Sequence, residues 1–152
     1  MGQGGDPVMS IFPEIPIPEA APQSSTVTYG RELDFDFSTG QFVMIDGAPR
    51  VLEGPDALRI WITKTLLTAR YRFPIYSFNY GCELEDMIGY DIPRVVLESE
   101  IPRVIREALI IDDRIEDVRE FSIERGDDWL RVEFTVITFD GQSIRQEVQY
   151  SV

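Results

Sequence analysis

The sequence predicts an α+β fold: two main helices packed on a C-terminal three-stranded antiparallel meander, with a small N-terminal β element and an extended Pro-rich arm. Three observations carry this prediction. Apolar residues recur at helical spacing from Leu58 to Ala69 and again from Leu97 to Leu109. Beyond Ile115 the pattern changes to alternation, broken twice by hairpin-type turns. The first thirty residues carry Pro7, Pro13, Pro16, Pro18 and Pro22, so neither a periodic helix nor a central strand runs through them. With 152 residues and 43% apolar content the chain buries one core. The expected division is an arm over 1–29 and an α+β domain over 30–152 that includes a hairpin block at 33–52.

In the arm, IFPEIPIPEA alternates apolar residues with prolines, a pattern that favours polyproline-like extension and leaves Ile11, Phe12, Ile15 and Ile17 needing cover. Docking on a partner and a disordered leader are the two readings. Apolar and acidic residues then alternate from Leu33 to Phe37, which describes a half-buried strand. Ser38-Thr39-Gly40 turns the chain, Phe42 to Ile45 forms a second short strand, and Asp46-Gly47 supplies hairpin chemistry.

Pro55-Asp56 opens the first helix, with Leu58, Trp61, Ile62, Leu66 and Ala69 on one stripe and Arg59 and Thr63 on the other side. Core packing is the simplest role for the stripe; a ligand platform at Trp61 is the sharper alternative. Tyr71, Phe73, Tyr76, Phe78 and Tyr80 follow around Pro74 and predict an ordered, packed loop. Gly81 suits a backbone position that a side chain would obstruct, and Glu83 to Ile88 forms a short helix ending at Gly89. Pro93 starts the second main helix, whose stripe is Leu97, Ile101, Val104, Ile105, Ala108 and Leu109. Pro102 predicts a kink or restart near Ile101. The meander runs over Ile115 to Glu124, Trp129 to Phe139 and Gln142 to Val152, with Leu130, Val132, Phe134 and Val136 sharing a face and Arg131 and Glu133 pointing away.

Composition removes many functions. The chain has no histidine, so the usual neutral-pH general base, the Ser-His and Cys-His pairs and most zinc and copper sites are unavailable. Cys82 is the only cysteine, which excludes an internal disulfide and predicts a small semi-buried side chain. No apolar run reaches about 18 residues and the start MGQGGDPVMS lacks a basic flank, so a soluble chain made in a cytoplasm is expected, with no membrane contact. A net charge of −13 argues against a nucleic-acid partner. The cations are thirteen arginines and Lys64. That skew fits an interface signature or a genome composition bias.

The segment LLTARYRFPIYSFNYGCELEDMIG, followed by ESEIPRVIREALIIDDRI, resembles the XkdS-like branch of the baseplate wedge and sheath-initiator family of contractile tails. GRELDFDFSTGQFVMIDG is similar to the amino-terminal strand block of that branch, and the resemblance spans Tyr29 to Val152. Where the wider family carries Glu-Pro-Arg after the second helix, Asp112-Asp113-Arg114 stands here, keeping an acid and the arginine without the proline.

The resemblance implies a structural subunit of the inner baseplate wedge, of a phage tail or a phage-derived bacteriocin, without cofactor or metal. Its partners are then other wedge proteins, the tail sheath subunit, and tube or hub proteins, with multiple copies in a symmetric particle assembled in the bacterial cytoplasm. Strand addition to an exposed sheet edge is the physical means suited to such a role.

The residues expected to contact partners are Arg114, Asp112, Tyr80 and Gly81, with Phe12, Ile15 and Ile17 in the arm. Arg114 also has an intrachain alternative, a salt bridge with Asp112, Glu116 or Asp117. Arg70 and Arg72 are expected to reach Glu83, Glu85 and Asp86 within the chain. The competing enzyme reading is a peptidoglycan glycosidase using Glu83 with Glu85 or Asp86. A metal module at Asp112-Asp113 or Gly126-Asp127-Asp128 lacks the ligand spacing of a calcium loop.

Overall fold

The computed structural model describes residues 27–72, 75, 79–88 and 92–151. The expected arm contacts Phe12, Ile15 and Ile17, and the loop aromatics Phe73, Tyr76 and Phe78, lie outside the described residues. Six short strands come first: β1 (Arg31–Leu33), β2 (Phe35–Asp36), β3 (Gln41–Phe42), β4 (Met44–Ile45), β5 (Ala48–Pro49) and β6 (Val51–Glu53). They form three two-stranded ribbons, β1 with β6, β2 with β3 and β4 with β5, all antiparallel.

The expected strands over 33–37 and 42–45 are thus split at Asp34 and Val43. Each length of chain pairs with two different neighbours, and the ribbons meet in a closed ring of backbone bonds. Asp34 N–H donates to the Arg50 carbonyl (2.8 Å), Val43 N–H to that of Asp34 (2.9 Å), and Arg50 N–H to that of Val43 (2.8 Å). Asp46 and Gly47 both have positive φ, 51° and 81°, as a tight type I′ hairpin turn requires.

Helix α1 (Gly54–Leu67) begins with Pro55 in its first turn and buries Ala57, Leu58, Ile62, Thr65 and Leu66. A short helix α2 (Leu84–Ile88) buries Leu84. Helix α3 (Arg94–Leu109) buries Leu97, Ile101, Val104, Ile105, Ala108 and Leu109, the six residues of the stripe read from spacing. It is continuous through Pro102, so the anticipated restart does not occur. The proline removes only the bond to the carbonyl of Glu98, which sits on an exposed turn where water can serve it.

Strands β7 (Ile115–Arg125), β8 (Trp129–Thr138) and β9 (Ser143–Ser151) make an antiparallel meander in the order β7-β8-β9. Strand β8 alternates without a fault, burying Leu130, Val132, Phe134, Val136 and Thr138. One core unites the four apolar residues of this set with the buried apolar faces of both long helices, α3 lying against β7 and α1 against β9. Each fully buried Leu, Ile or Phe contributes about 1.5–3 kcal/mol relative to exposure. The opposite sheet face carries cross-strand ion pairs, Arg145 with Glu133 and Arg131 with Glu147.

Candidate assembly interface

A three-stranded sheet has two outer edges, and the chain treats them differently. On β7 the Val118 carbonyl accepts from Nε (3.1 Å) and Nη2 (2.8 Å) of Arg106, which reaches over from α3. The Val118 N–H donates to the Asp117 carboxylate at 2.8 Å. Register shifts lie on both sides, between Ile115 and Asp117 and between Arg119 and Ser122, and Glu120 has φ 59°. Bulges and occupied backbone groups interrupt this edge as a template for another strand from Ile115 to Phe121, leaving regular register only over Ser122–Arg125.

Strand β9 pairs with β8 in unbroken register from Ser143 to Ser151. Its hairpin closes with Thr138 N–H on the Gln142 carbonyl (3.0 Å) and Gly141 N–H on that of Thr138 (2.9 Å). Alternation from that pair turns the backbone groups of Ser143, Arg145, Glu147, Gln149 and Ser151 outward. Arg59 Nη1 of α1 donates to the Arg145 carbonyl at 2.6 Å. From Glu147 onward the edge opens into a groove of about 640 Å³, walled by Phe35, Phe37, Thr63 and Leu67. Phe35 sits edge to face with Phe37 and with Phe42, each at 5.1 Å, which fixes that wall. Hydrogen bonds from the hydroxyl and amide of Ser38 hold the turn and keep the Asp36 carboxyl below its ordinary range.

Arg114 and Asp112 form an intrachain knot. The guanidinium grips Asp112 in two bonds of 2.7 Å, donates to the Tyr29 carbonyl at 2.6 Å and lies 5.2 Å from the Trp61 ring centroid. Their side chains are 14% and 11% exposed, so little of either is available to another molecule. The carboxylate raises the guanidinium pKa further. Tyr29 is held a second time through its hydroxyl on Asp140 (2.6 Å). Bonds from the Thr138 and Tyr29 hydroxyls keep the Asp140 carboxyl low, while burial and Asp140 raise the Tyr29 phenol. A second crevice, about 680 Å³, lies beside this knot and is lined by Val27, Ile110, Ile115, Glu116 and Phe139.

Tyr80 is half-buried with its ring edge-on to Trp61 at 6.4 Å. Gly81 has φ 103°, and a Cβ there would stand 2.8 Å from the Thr68 carbonyl oxygen and 3.1 Å from Arg70 Cα. The obstruction inferred from sequence is therefore the end of α1 itself. The close approach lets Cys82 N–H reach the Thr68 carbonyl (2.9 Å) and Arg70 N–H reach that of Cys82 (3.2 Å). Cys82 is buried in this clip, and burial pushes its thiol up to about 11.

Glu83 faces Arg70 at 3.5 Å, and Arg72 pairs with Glu85 at 3.0 Å and Asp86 at 3.8 Å. The three carboxylates are 45%, 54% and 62% exposed, an arrangement of solvated ion pairs and not of a buried acid beside an ionised partner. Among the described residues no three acidic or thiol side chains converge on a metal-sized site.

The family model for contractile injection system sheath initiators matches residues 31–141, from β1 to the β8–β9 turn. The chain belongs to the sheath initiator family. It is 33% identical over 141 residues to the phage-like element PBSX protein XkdS of Bacillus subtilis (strain 168), a match covering 92% of this chain and 96% of that protein. A crystal structure described as a putative tail lysozyme from Geobacter sulfurreducens superposes with a TM-score of 0.58 at 17% identity, over 68% of this chain and 96% of that one. At that identity the likeness shows a shared α+β fold and no shared chemistry. Sheath-initiator membership makes this a structural component of a contractile tail-type particle.

Proposed function

We propose that this sheath initiator is a subunit of the inner baseplate wedge and that it starts the sheath by offering the outer edge of β9 to an extended segment of a neighbouring protein. The observation that carries the reading is the asymmetry of the meander. Strand β7 is interrupted from Ile115 to Phe121 by Arg106, Asp117 and two register shifts, whereas β9 presents Glu147 to Ser151 in unbroken register beside a groove that mixes Phe35, Phe37 and Leu67 with Asp36, Ser38 and Thr63. Main-chain bonds to that edge supply affinity, and alternate side chains entering between Phe35, Phe37 and Leu67 supply selection.

The other face of β9 carries Arg145 and Glu147, so a segment alternating apolar residues with charged ones fits both sides. The segment belongs to the tail sheath subunit. Other wedge proteins, with tube or hub proteins, contact the remaining surface, including the arm and the crevice beside the Asp112–Arg114 knot. Assembly takes place in the bacterial cytoplasm, in multiple copies per particle and without a reaction.

The test is electron microscopy of particles from cells carrying the intact tail operon, a deletion of this gene, or its Gln149→Pro variant. Proline at an outward-facing position removes a donor from the edge without breaking the β8–β9 ladder. Both alterations are expected to give free tubes or aberrant sheath polymers. Normal particles from Gln149→Pro would refute strand addition at β9. Intact particles from the deletion that fail only to breach the cell wall would favour the glycosidase reading and direct attention to Glu83, Glu85 and Asp86.

A further inference from the structure

We infer that Arg59 determines where a partner strand seats on β9 and prevents copies of this chain from pairing with one another through that edge. The inference rests on the strand-addition reading and adds to it a residue with a distinct task. Helix α1 lies along β9 and reaches it through three residues, Arg59 also donating weakly to Gln146 Oε1 at 3.5 Å. Arg59 Nη1 donates to the Arg145 carbonyl (2.6 Å), Gln146 Nε2 donates to Thr63 Oγ1 (2.7 Å), and the Tyr150 hydroxyl donates to the Leu66 carbonyl (3.1 Å). Thr63 and Leu66 meet side chains on the inner face of the sheet. Arg59 alone takes a backbone group on the outer edge.

An arginine here does more than fill one acceptor. Its planar head occupies the lane beside Arg145 that an incoming backbone would need, while the Asp56 carboxylate at 3.8 Å and a bond from Thr63 Oγ1 to the Arg59 carbonyl (3.1 Å) steady its base. The available ladder therefore begins at Glu147. Without that plug β9 is a regular nine-residue edge with alternating burial, the kind of surface on which identical chains pair antiparallel. With Arg59 in place on both copies, symmetric pairing shrinks from the whole strand to the five residues Glu147–Ser151. A foreign segment that also fills the groove gains the contacts with Phe35, Phe37 and Leu67; a second β9, whose inward side chains are already buried in its own core, does not. The same device recurs across the sheet, where Arg106 of α3 occupies the Val118 carbonyl of β7.

The experiment is sedimentation velocity and equilibrium of the purified full chain as wild type, Arg59→Leu, Arg59→Gln and the double variant Arg59→Leu/Gln149→Pro, each checked for folding by circular dichroism. Arg59→Leu and Arg59→Gln are expected to self-associate at least about tenfold more tightly than wild type, since a backbone bond is returned on either side of a symmetric pair. Gln149→Pro should restore wild-type behaviour. Folded Arg59 variants that sediment as wild type, or association that survives Gln149→Pro, would overturn the role of Arg59. Its failure is separable from failure of the underlying reading: loss of sheath assembly in Gln149→Pro particles, with monomeric Arg59→Leu, rejects Arg59 alone. Normal sheath in Gln149→Pro particles rejects strand addition itself.

Discussion

Replacing Arg114 with alanine separates a fold-organising arginine from a contact residue. The substitution removes both bonds to Asp112, the bond to the Tyr29 carbonyl and the guanidinium over Trp61. It leaves the Asp112 carboxylate, 11% exposed, with the backbone N–H of residue 114 as its remaining donor in the knot. Breaking a mostly buried ion pair by deleting one partner costs about 3–5 kcal/mol, a range that already contains the orphaned charge. The lost stacking on Trp61 adds on the order of 0.5–1 kcal/mol.

For a domain of this size that corresponds to a fall in Tm of roughly 10 °C or more. Thermal denaturation of wild type, Arg114→Ala, Asp112→Ala and the double variant measures it. Because the alanine pair lacks a stranded charge, the double variant should be less destabilised than the sum of the single changes, with a coupling of about 1–3 kcal/mol. An Arg114→Ala protein that melts with wild type, yet gives particles without baseplates, would refute the reasoning and make Arg114 a direct contact.

Gly81→Ala forces a Cβ to 2.8 Å from the Thr68 carbonyl at a φ of 103°, so it should lower stability by about 2–3 kcal/mol and raise proteolysis between α1 and α2; an unchanged melt would count against the clip. Tyr150→Phe leaves the Leu66 carbonyl without its buried donor and should cost about 1–2 kcal/mol in denaturant titration, with an unaltered m-value. The Cys82 thiol gives a pH signature. Its pKa is raised from 9.0 to about 11 by burial, so the unfolded chain loses this proton first. Stability is therefore full below about pH 9 and declines as pH rises, by about 2 kcal/mol at about pH 10.5. Burial also raises Tyr150, with the same sign, so the comparison that isolates the thiol is wild type against Cys82→Ala. Equal pH slopes for the two would refute it.

Much of the scaffold was legible because it rests on local periodicity. The six buried positions of α3 follow from spacing alone, and the Asp46-Gly47 turn follows from the positive φ those residues tolerate. The splitting of the first strands was not legible, since the ring of Asp34, Val43 and Arg50 depends on which distant segments pair. Spacing keeps Arg59 and Thr63 off the buried stripe of α1, yet position on a helix wheel does not say that one reaches a carbonyl eighty-six residues away. The Arg114–Tyr29 bond spans eighty-five residues, and only the neighbouring acid, Asp112, was visible in sequence. Gly81 was readable as an obstruction because glycine carries that signal by itself. The atom it avoids required the fold.

The two edges of the meander also constrain what kind of subunit this is. A sheet with two open edges accepts strands on both sides and, given identical copies, propagates into a ladder; a sheet with none cannot pass a strand contact to a neighbour. This chain interrupts β7 by bulges and a helix-borne arginine and leaves the Glu147–Ser151 part of β9 in unbroken register beside a groove. Under the strand-addition proposal, that inequality makes β9 the edge from which a ladder starts and β7 the poorer one for continuing it. The net charge of −13 works in the same direction, because like copies repel while a partner bearing cations is attracted, more strongly at low ionic strength. Raising salt should therefore weaken capture of a basic partner segment while easing contact between copies. A subunit whose self-association and partner capture rose together with salt would owe its behaviour to apolar surface rather than to a guarded edge.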